Sequence, residues 1–338
     1  MKITNVIIAS ATCLFSPLLI ADCRVSSPAW TQQFNQVYQA DEFYIYYTNR
    51  TNSKDRVPQQ DINKNNIPDY VEDVARQAQA SRDMFEVAKL QHPLHSPRYK
   101  NKAQAIAVFI KDMKGNGVAY EVVSRHPSVS TQTPMPCSLV INISNRLTDF
   151  PGNYWTTVTH ELFHLYQYGY SQFKNSWYLE SLANWSERAL RIDINQQTKN
   201  LKALPQNVKA LEQEIFKASY NPLWRRYFYI QPNDVLNVPK QLQLKTYIDG
   251  SPIFKDHVWY GTRFVRNFLV DLSAASYQTS EQYQWPKYNW KEADQRRTEF
   301  NCTIFTVYQK QLKKQKKLTK EAQFLASFPL SSNSPQCK

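Results

Sequence analysis

The chemistry this chain could perform is concentrated at His160-Glu161-Leu162-Phe163-His164, which reads H-E-x-x-H. A helix stacks residues four apart on a single face, so two imidazoles at this spacing can share one metal ion. The glutamate beside them is then placed to act as a base. Neither proline nor glycine interrupts the stretch from Asn153 to Tyr168, and the valine, leucine and aromatic residues around the motif suit a buried helix. The competing reading is a half-buried amphipathic helix with two hydrogen-bonded histidines. Five letters recur by chance; the flanks tip the balance toward a zinc site.

Two histidines leave zinc one short of the three protein ligands of a catalytic site, whose fourth place is kept for water. The longer pattern H-E-x-x-H-x-x-G-x-x-H is absent, because Gln167 and Tyr170 stand at its glycine and third histidine. A following helix can supply a glutamate instead. In Trp177-Tyr178-Leu179-Glu180-Ser181-Leu182-Ala183-Asn184-Trp185-Ser186-Glu187, the side chains of Glu180, Asn184 and Glu187 share one helical face, and small Ala183 permits close helix approach.

H-E-L-F-H followed by W-Y-L-E-S-L-A-N-W-S-E resembles the gluzincin metalloproteases. More narrowly, it is similar to a secreted bacterial group carrying H-E-x-x-H…W-x-x-E-G-x-A-x-W-x-E. The D-x-N-x-N-x-I-P-D-x-V-E stretch at 61–72 and Tyr260-Gly261 before an apolar helix also recur in that group. The likeness runs in patches from Asp61 to about Leu272 and is specific around Thr156 to Glu187. Ser181 replaces a glycine of the group. The interval from His164 to Glu180 is shorter than in many gluzincins, which keeps Glu187 open as a substitute ligand.

The resemblance implies a zincin-like fold with zinc on His160, His164 and Glu180, and with Glu161 as general base. Asn184 or Glu187 would accept a hydrogen bond from the far nitrogen of a ligating histidine. Tyr260 is the candidate donor to a tetrahedral oxyanion, with His257 in reserve; the other reading of Tyr260 is a core aromatic. In gluzincins an edge strand ahead of the active helix pairs with extended peptide, and Leu139 to Ile143 takes that place in the order.

Elements that must position these residues can be read from pattern. Asp41 to Thr48, Ala105 to Lys111 and Leu139 to Ile143 read as strands, and Asp69 to Leu90 as an amphipathic helix. Polar, proline-containing Gly115 to Cys137 reads as a surface loop, and His92 and His95 as solvated loop histidines. Val258 to Leu272 and the lysine-rich Thr303 to Leu325 read as helices. Oxygen side chains at Asp61, Asn63, Asn65 and Asp69, with Glu72 at position 12, match the ligand pattern of a calcium loop. The alternative there is an Asn/Asp-rich turn with Asp69 capping the next helix. The order is α+β: a mixed sheet with helices over 22–152, then the active-site helix and a mainly helical part over 153–338.

Residues 1–21 resemble an export signal, with Lys2, an apolar core from Val6 to Ile20 and small Ala21. That core is shorter than the roughly 20 apolar residues of a membrane anchor. Export leaves Cys23, Cys137, Cys302 and Cys337, for which we expect the pairs Cys23–Cys137 and Cys302–Cys337. A secreted or periplasmic location follows. Six glycines against 18 prolines, with no G-x-G-x-x-G or P-loop pattern, argue against a phosphate loop. The net charge of +13 favours anionic surfaces, reached through the basic C-terminal helix, and nucleic acid is not expected. The leading expectation is an exported zinc endopeptidase acting on protein or peptide. Two alternatives stand beside it: an exported binding protein with a degenerate or structural metal site, and a zinc hydrolase of a cell-wall amide.

Overall fold

A computed structural model describes residues 23–25, 33–126, 135–147, 150–151, 155–191, 204, 207–217, 223–224, 233–329 and 337. The expected export signal, 1–21, lies outside them. The first half of the chain builds a mixed sheet from β2 (Gln36–Ala40), β3 (Phe43–Tyr47), β4 (Ala105–Lys111), β5 (Gly117–Arg125) and β6 (Cys137–Ser144). A two-residue stub, β1 (Arg24–Val25), joins the end of β5, giving the order β1-β5-β6-β4-β3-β2. The centre of the sheet is parallel, whereas β5 runs antiparallel to β6 and β2 antiparallel to β3.

Burial explains which strands announce themselves. Every residue of β6 is buried and β4 is buried up to Lys111, so both read as continuous apolar runs. Leu139 to Ile143 is therefore an inner strand, paired on both sides, and not the edge expected of it. The edge beside the active helix is β5, in the stretch read as a loop. Its mixture of Tyr120, Glu121, Ser124 and Arg125 with partial exposure, and a register shift between Tyr120 and Ser124, hides the alternation of a strand. β1 pairs only with Ser124 and Arg125. Among the described residues the outer edge from Gly117 to Val123 carries no strand.

Helices cover one face of the sheet. α1 (Asp69–Val87) begins as the sequence indicates. Pro68 rather than Asp69 is its cap residue; both carboxylate oxygens of Asp69 accept from the Ile62 N–H at 3.0 and 3.1 Å. The loop before it is laced in the same manner. Asp61 accepts from the N–H groups of Asn65 and Asn66, Asn65 from that of Ile67, and the Asn63 amide donates to Glu72 at 2.9 Å. Lys64 and Asn66 take left-handed backbone with φ of 57° and 68°. His92 is not solvated: it accepts from the Leu94 N–H and lies 3.3 Å from Glu42.

α2 (Thr157–Tyr170) carries the H-E-x-x-H motif and is buried along all of its length except His160. α3 (Ser176–Ser186) follows after a five-residue turn. Beyond it come α4 (Val208–Ile215), β7 (Val235–Asn237), α5 (Lys240–Gln243) and β8 (Val258–Tyr260), with β7 and β8 forming a separate ribbon. α6 (Thr262–Tyr283), α7 (Glu292–Gln295), α8 (Phe300–Lys313) and α9 (Lys320–Ser327) complete the chain. The helix expected from Val258 thus starts at Thr262, after Gly261 turns the chain at φ 81°. The single helix expected over Thr303 to Leu325 is two. The break falls within the lysine run, between Lys313 and Lys320, and Thr319 caps the second piece by accepting from the Ala322 N–H.

One buried apolar cluster runs from Phe43 in the sheet to Phe328 at the C-terminal end, across the expected boundary at 152. Two cystine bridges fasten the ends: Cys23–Cys137, with Cα atoms 6.0 Å apart, and Cys302–Cys337, with Cα atoms 5.4 Å apart. Among the described residues no helix is long and apolar enough to cross a membrane.

Candidate metal centre

α2 can sit wholly inside the molecule because its polar residues meet polar partners. Thr159 shares a hydrogen bond of 2.7 Å with Ser81 of α1, and its N–H donates to Gln77. Val158, Leu162, Phe163 and Leu165 are fully buried, which fixes the rotation of the helix and turns His160, Glu161 and His164 the other way. α3 is pinned from behind by α8. The Asn301 side chain accepts from Asn175 at 2.8 Å and from the Trp177 indole at 2.9 Å.

These two helices bring three donors together. Glu180 Oε2 lies 3.3 Å from His160 Nε2 and 3.6 Å from His164 Nε2. One ligand atom from each of the three residues falls within 4.8 Å of the other two; among the described residues this is the group of His, Cys, Asp and Glu that could hold a metal ion. The three carboxylates of the loop at 61–72, Asp61, Asp69 and Glu72, form no such group, and its Asn63 and Asn65 are not of these residue types. Two imidazole nitrogens and one carboxylate oxygen make a His₂Glu donor set.

Acceptors hold the opposite nitrogen of both rings. His160 Nδ1 is 2.7 Å from Glu187 Oε1, and His164 Nδ1 is 2.8 Å from Gln167 Oε1. Glu187 is buried and also accepts from the Thr156 hydroxyl, while the Gln167 amide donates to the Leu179 carbonyl at 3.0 Å. Glu187, left open as a third ligand, thus lies behind His160, on the side away from Glu180. Asn184 is half-buried and lines a cavity together with His160 and Glu187.

Charge in the group is mutually supported. Burial opposes protonation of His160, but the carboxylates of Glu180 and Glu187 outweigh it and push its pKa up to about 10. Burial raises Glu180 and Glu187; His160 and His164 more than reverse that for Glu180, and His160 with Arg191 and Thr156 does so for Glu187, so both carboxylates stay ionised. Glu161 behaves oppositely. It is 7% exposed, and burial raises its pKa against the pull of His164 and His160.

Two cavities meet at Glu161. One, of about 370 Å³, lies between β5 and the C-terminal half of α2 and is lined by Gly117, His164, Tyr168 and Glu180. The other, of about 340 Å³, is lined by Trp155, Thr156, His160, Asn184 and Glu187. Both include Gly117, so the open edge of β5 borders the pair. Tyr260 and His257 line neither cavity. Tyr260 pairs with Val235 in the β7–β8 ribbon and packs against the core, its carbonyl accepting from the Trp185 indole, while His257 is exposed.

Gly117, Gln167 and Thr156 are the residues of this centre that sequence reading passes over. Gln167 could have been found, because it stands three residues after His164 on the same helix. Gly117 and Thr156 meet the centre only through the folded chain. Set against known protein families, curated proteins and solved structures, the chain matches none.

Proposed function

We propose that this chain is an exported zinc-dependent endopeptidase of gluzincin type with a zincin-like architecture. The observation that carries it is the convergence of His160, His164 and Glu180 beside Glu161, under a strand edge that is open among the described residues. The donor set suits zinc, and each imidazole has a partner on its far nitrogen that fixes the tautomer and ring direction. Bound there, zinc would polarise a substrate carbonyl and lower the pKa of a water molecule to about 7.

The chain's own residues account for the remaining work. β5 offers backbone N–H and C=O groups to an extended peptide, which the ladder would orient across Glu161. Glu161, its pKa raised by burial, is suited to take a proton from water and return it to the leaving amine. Glu187 and Gln167 keep the two imidazoles aimed, so little reorganisation is needed during reaction.

The test compares wild type with Glu161→Gln for zinc content and for turnover of an unfolded protein substrate. Expected are equal, stoichiometric zinc and a loss of roughly 10²–10⁴ in rate. Equal hydrolysis by both forms would remove Glu161 from the mechanism, and absence of zinc uptake would remove the reading itself.

A further inference from the structure

The cavity between β5 and α2 ends on charge where an apolar floor would be usual. Its far wall holds Glu121 of β5, Lys174 from the turn between α2 and α3, and Glu292 and Arg296 at the two ends of α7. The Lys174 side chain is only 6% exposed; its Nζ is 2.9 Å from Glu121 Oε1 and 5.1 Å above the Tyr168 ring. Behind it, Arg98 lies 2.5 Å from Glu121 Oε2, to which the Gln295 amide also donates. Two buried cations therefore share one partly buried carboxylate, leaving one positive charge in excess, and an uncompensated buried charge is costly.

Glu292 supplies the missing negative charge from outside. Its side chain is 63% exposed, yet Oε2 comes 3.3 Å from Lys174 Nζ and Oε1 3.0 Å from Arg296. Arg296 is itself anchored by donating to the Lys174 carbonyl at 3.3 Å. A carboxylate is thus gripped between an ammonium and a guanidinium at the mouth of the cavity that contains His164 and Glu180. Ion pairs this exposed are weakly held, so Glu292 can give way. Burial raises its pKa, and Lys174 and Arg296 more than offset that, as they would for any carboxylate placed there.

We propose that this cavity is a subsite for a carboxylate of the substrate, bound by Lys174 and Arg296, and that Glu292 is the internal stand-in displaced when it binds. The identity of the ligand as a peptide rests on the peptidase reading; the carboxylate preference rests on Lys174, Arg296 and Glu292 alone. An acidic side chain and a free C-terminal carboxylate share this chemistry.

The deciding experiment is calorimetric binding to the Glu161→Gln protein, with and without zinc. The ligands are end-blocked pentapeptides that differ in one central residue (Glu, Gln or Lys), together with the Gln peptide bearing a free C-terminus. Expected is at least tenfold tighter binding of the Glu peptide, or of the free-carboxylate peptide, than of the blocked Gln peptide, with the Lys peptide weakest. Which of the two acidic ligands wins identifies the source of the carboxylate. Arg296→Ala should bring the ratio close to one, and Glu292→Gln should tighten the favoured ligand several-fold. Equal binding of all four, no binding of any at millimolar concentration, or a preference for Lys that Glu292→Gln abolishes would each overturn the proposal. A carboxylate preference in a protein that cleaves no peptide when zinc-loaded would instead overturn the peptidase reading and leave the subsite standing.

Discussion

Gly117 presses its backbone directly against Glu161: a Cβ added there would fall 2.6 Å from Glu161 Cγ and 2.8 Å from Oε1. Thr157 Cγ2 would also lie 2.8 Å away, so the added carbon has no room unless a neighbour moves. Gly117→Ala should therefore shift either the strand edge or the glutamate. A displacement near 1 Å at a reacting group is worth roughly 100-fold in rate. We expect turnover to fall by about that factor with metal content unchanged, since His160, His164 and Glu180 are not touched. Loss of metal together with activity would mean that the substitution disturbs the whole centre.

The ligand assignment predicts two grades of effect. His160→Ala, His164→Ala and Glu180→Ala each remove a donor and should abolish stoichiometric metal binding. Glu187→Gln and Gln167→Leu disturb only the far nitrogen of an imidazole and should weaken affinity by about 10- to 100-fold. Competition against a chromophoric chelator separates the two grades. If Glu187→Gln proves as severe as Glu180→Ala, then Glu187 is a donor in its own right.

Asp73 gives a prediction about pH away from the metal. Burial lifts its pKa to about 7, against a hydrogen bond from the Ile248 N–H, while Asp249 and Asp69 push it further up and Arg76 opposes them. The folded state thus holds a proton more tightly than the unfolded chain. The contribution is most favourable below the unfolded pKa near 3.8 and is lost progressively as pH rises to about 7. Asn in its place keeps an acceptor for Ile248 and does not titrate. Asp73→Asn should gain stability relative to wild type between pH 5 and pH 8, by about 1–3 kcal/mol, read as a widening gap in melting temperature. A gap that narrows would show that Asp73 is ionised and satisfied in the fold.

The part of the centre legible in the sequence is the part set by helix geometry. His160, Glu161 and His164 need only the four-residue spacing, and Glu180 needs only a second helix close behind. β4 and β6 were legible because burial on both faces writes them in apolar letters. Strand order is not written that way, so the sequence alone points to Leu139–Ile143 as the edge, although that strand is internal and β5 lies outside it. β8 illustrates a second limit: Val258-Trp259-Tyr260 suits helix or strand alike, and only the left-handed turn at Gly261 separates the ribbon from α6. Tyr260 and His257 are candidates through the family resemblance, and no local pattern reports that Tyr260 sits in a ribbon, with His257 just before it, away from the two cavities.

The stub β1 has a consequence for what could lie along β5. Held down by the Cys23–Cys137 bridge, it covers Ser124 and Arg125 and, among the described residues, leaves the seven from Gly117 to Val123 without a strand beside them. Seven residues of strand measure roughly 23 Å, which is the longest ladder a guest chain could form before meeting a blocked end. On the peptidase reading proposed above, a stop of this kind would work as a caliper. Tails and unravelled segments would lie flat in it, whereas the short, curved loops of an intact domain would not reach, so the clientele would be sorted by slackness before any side chain is read.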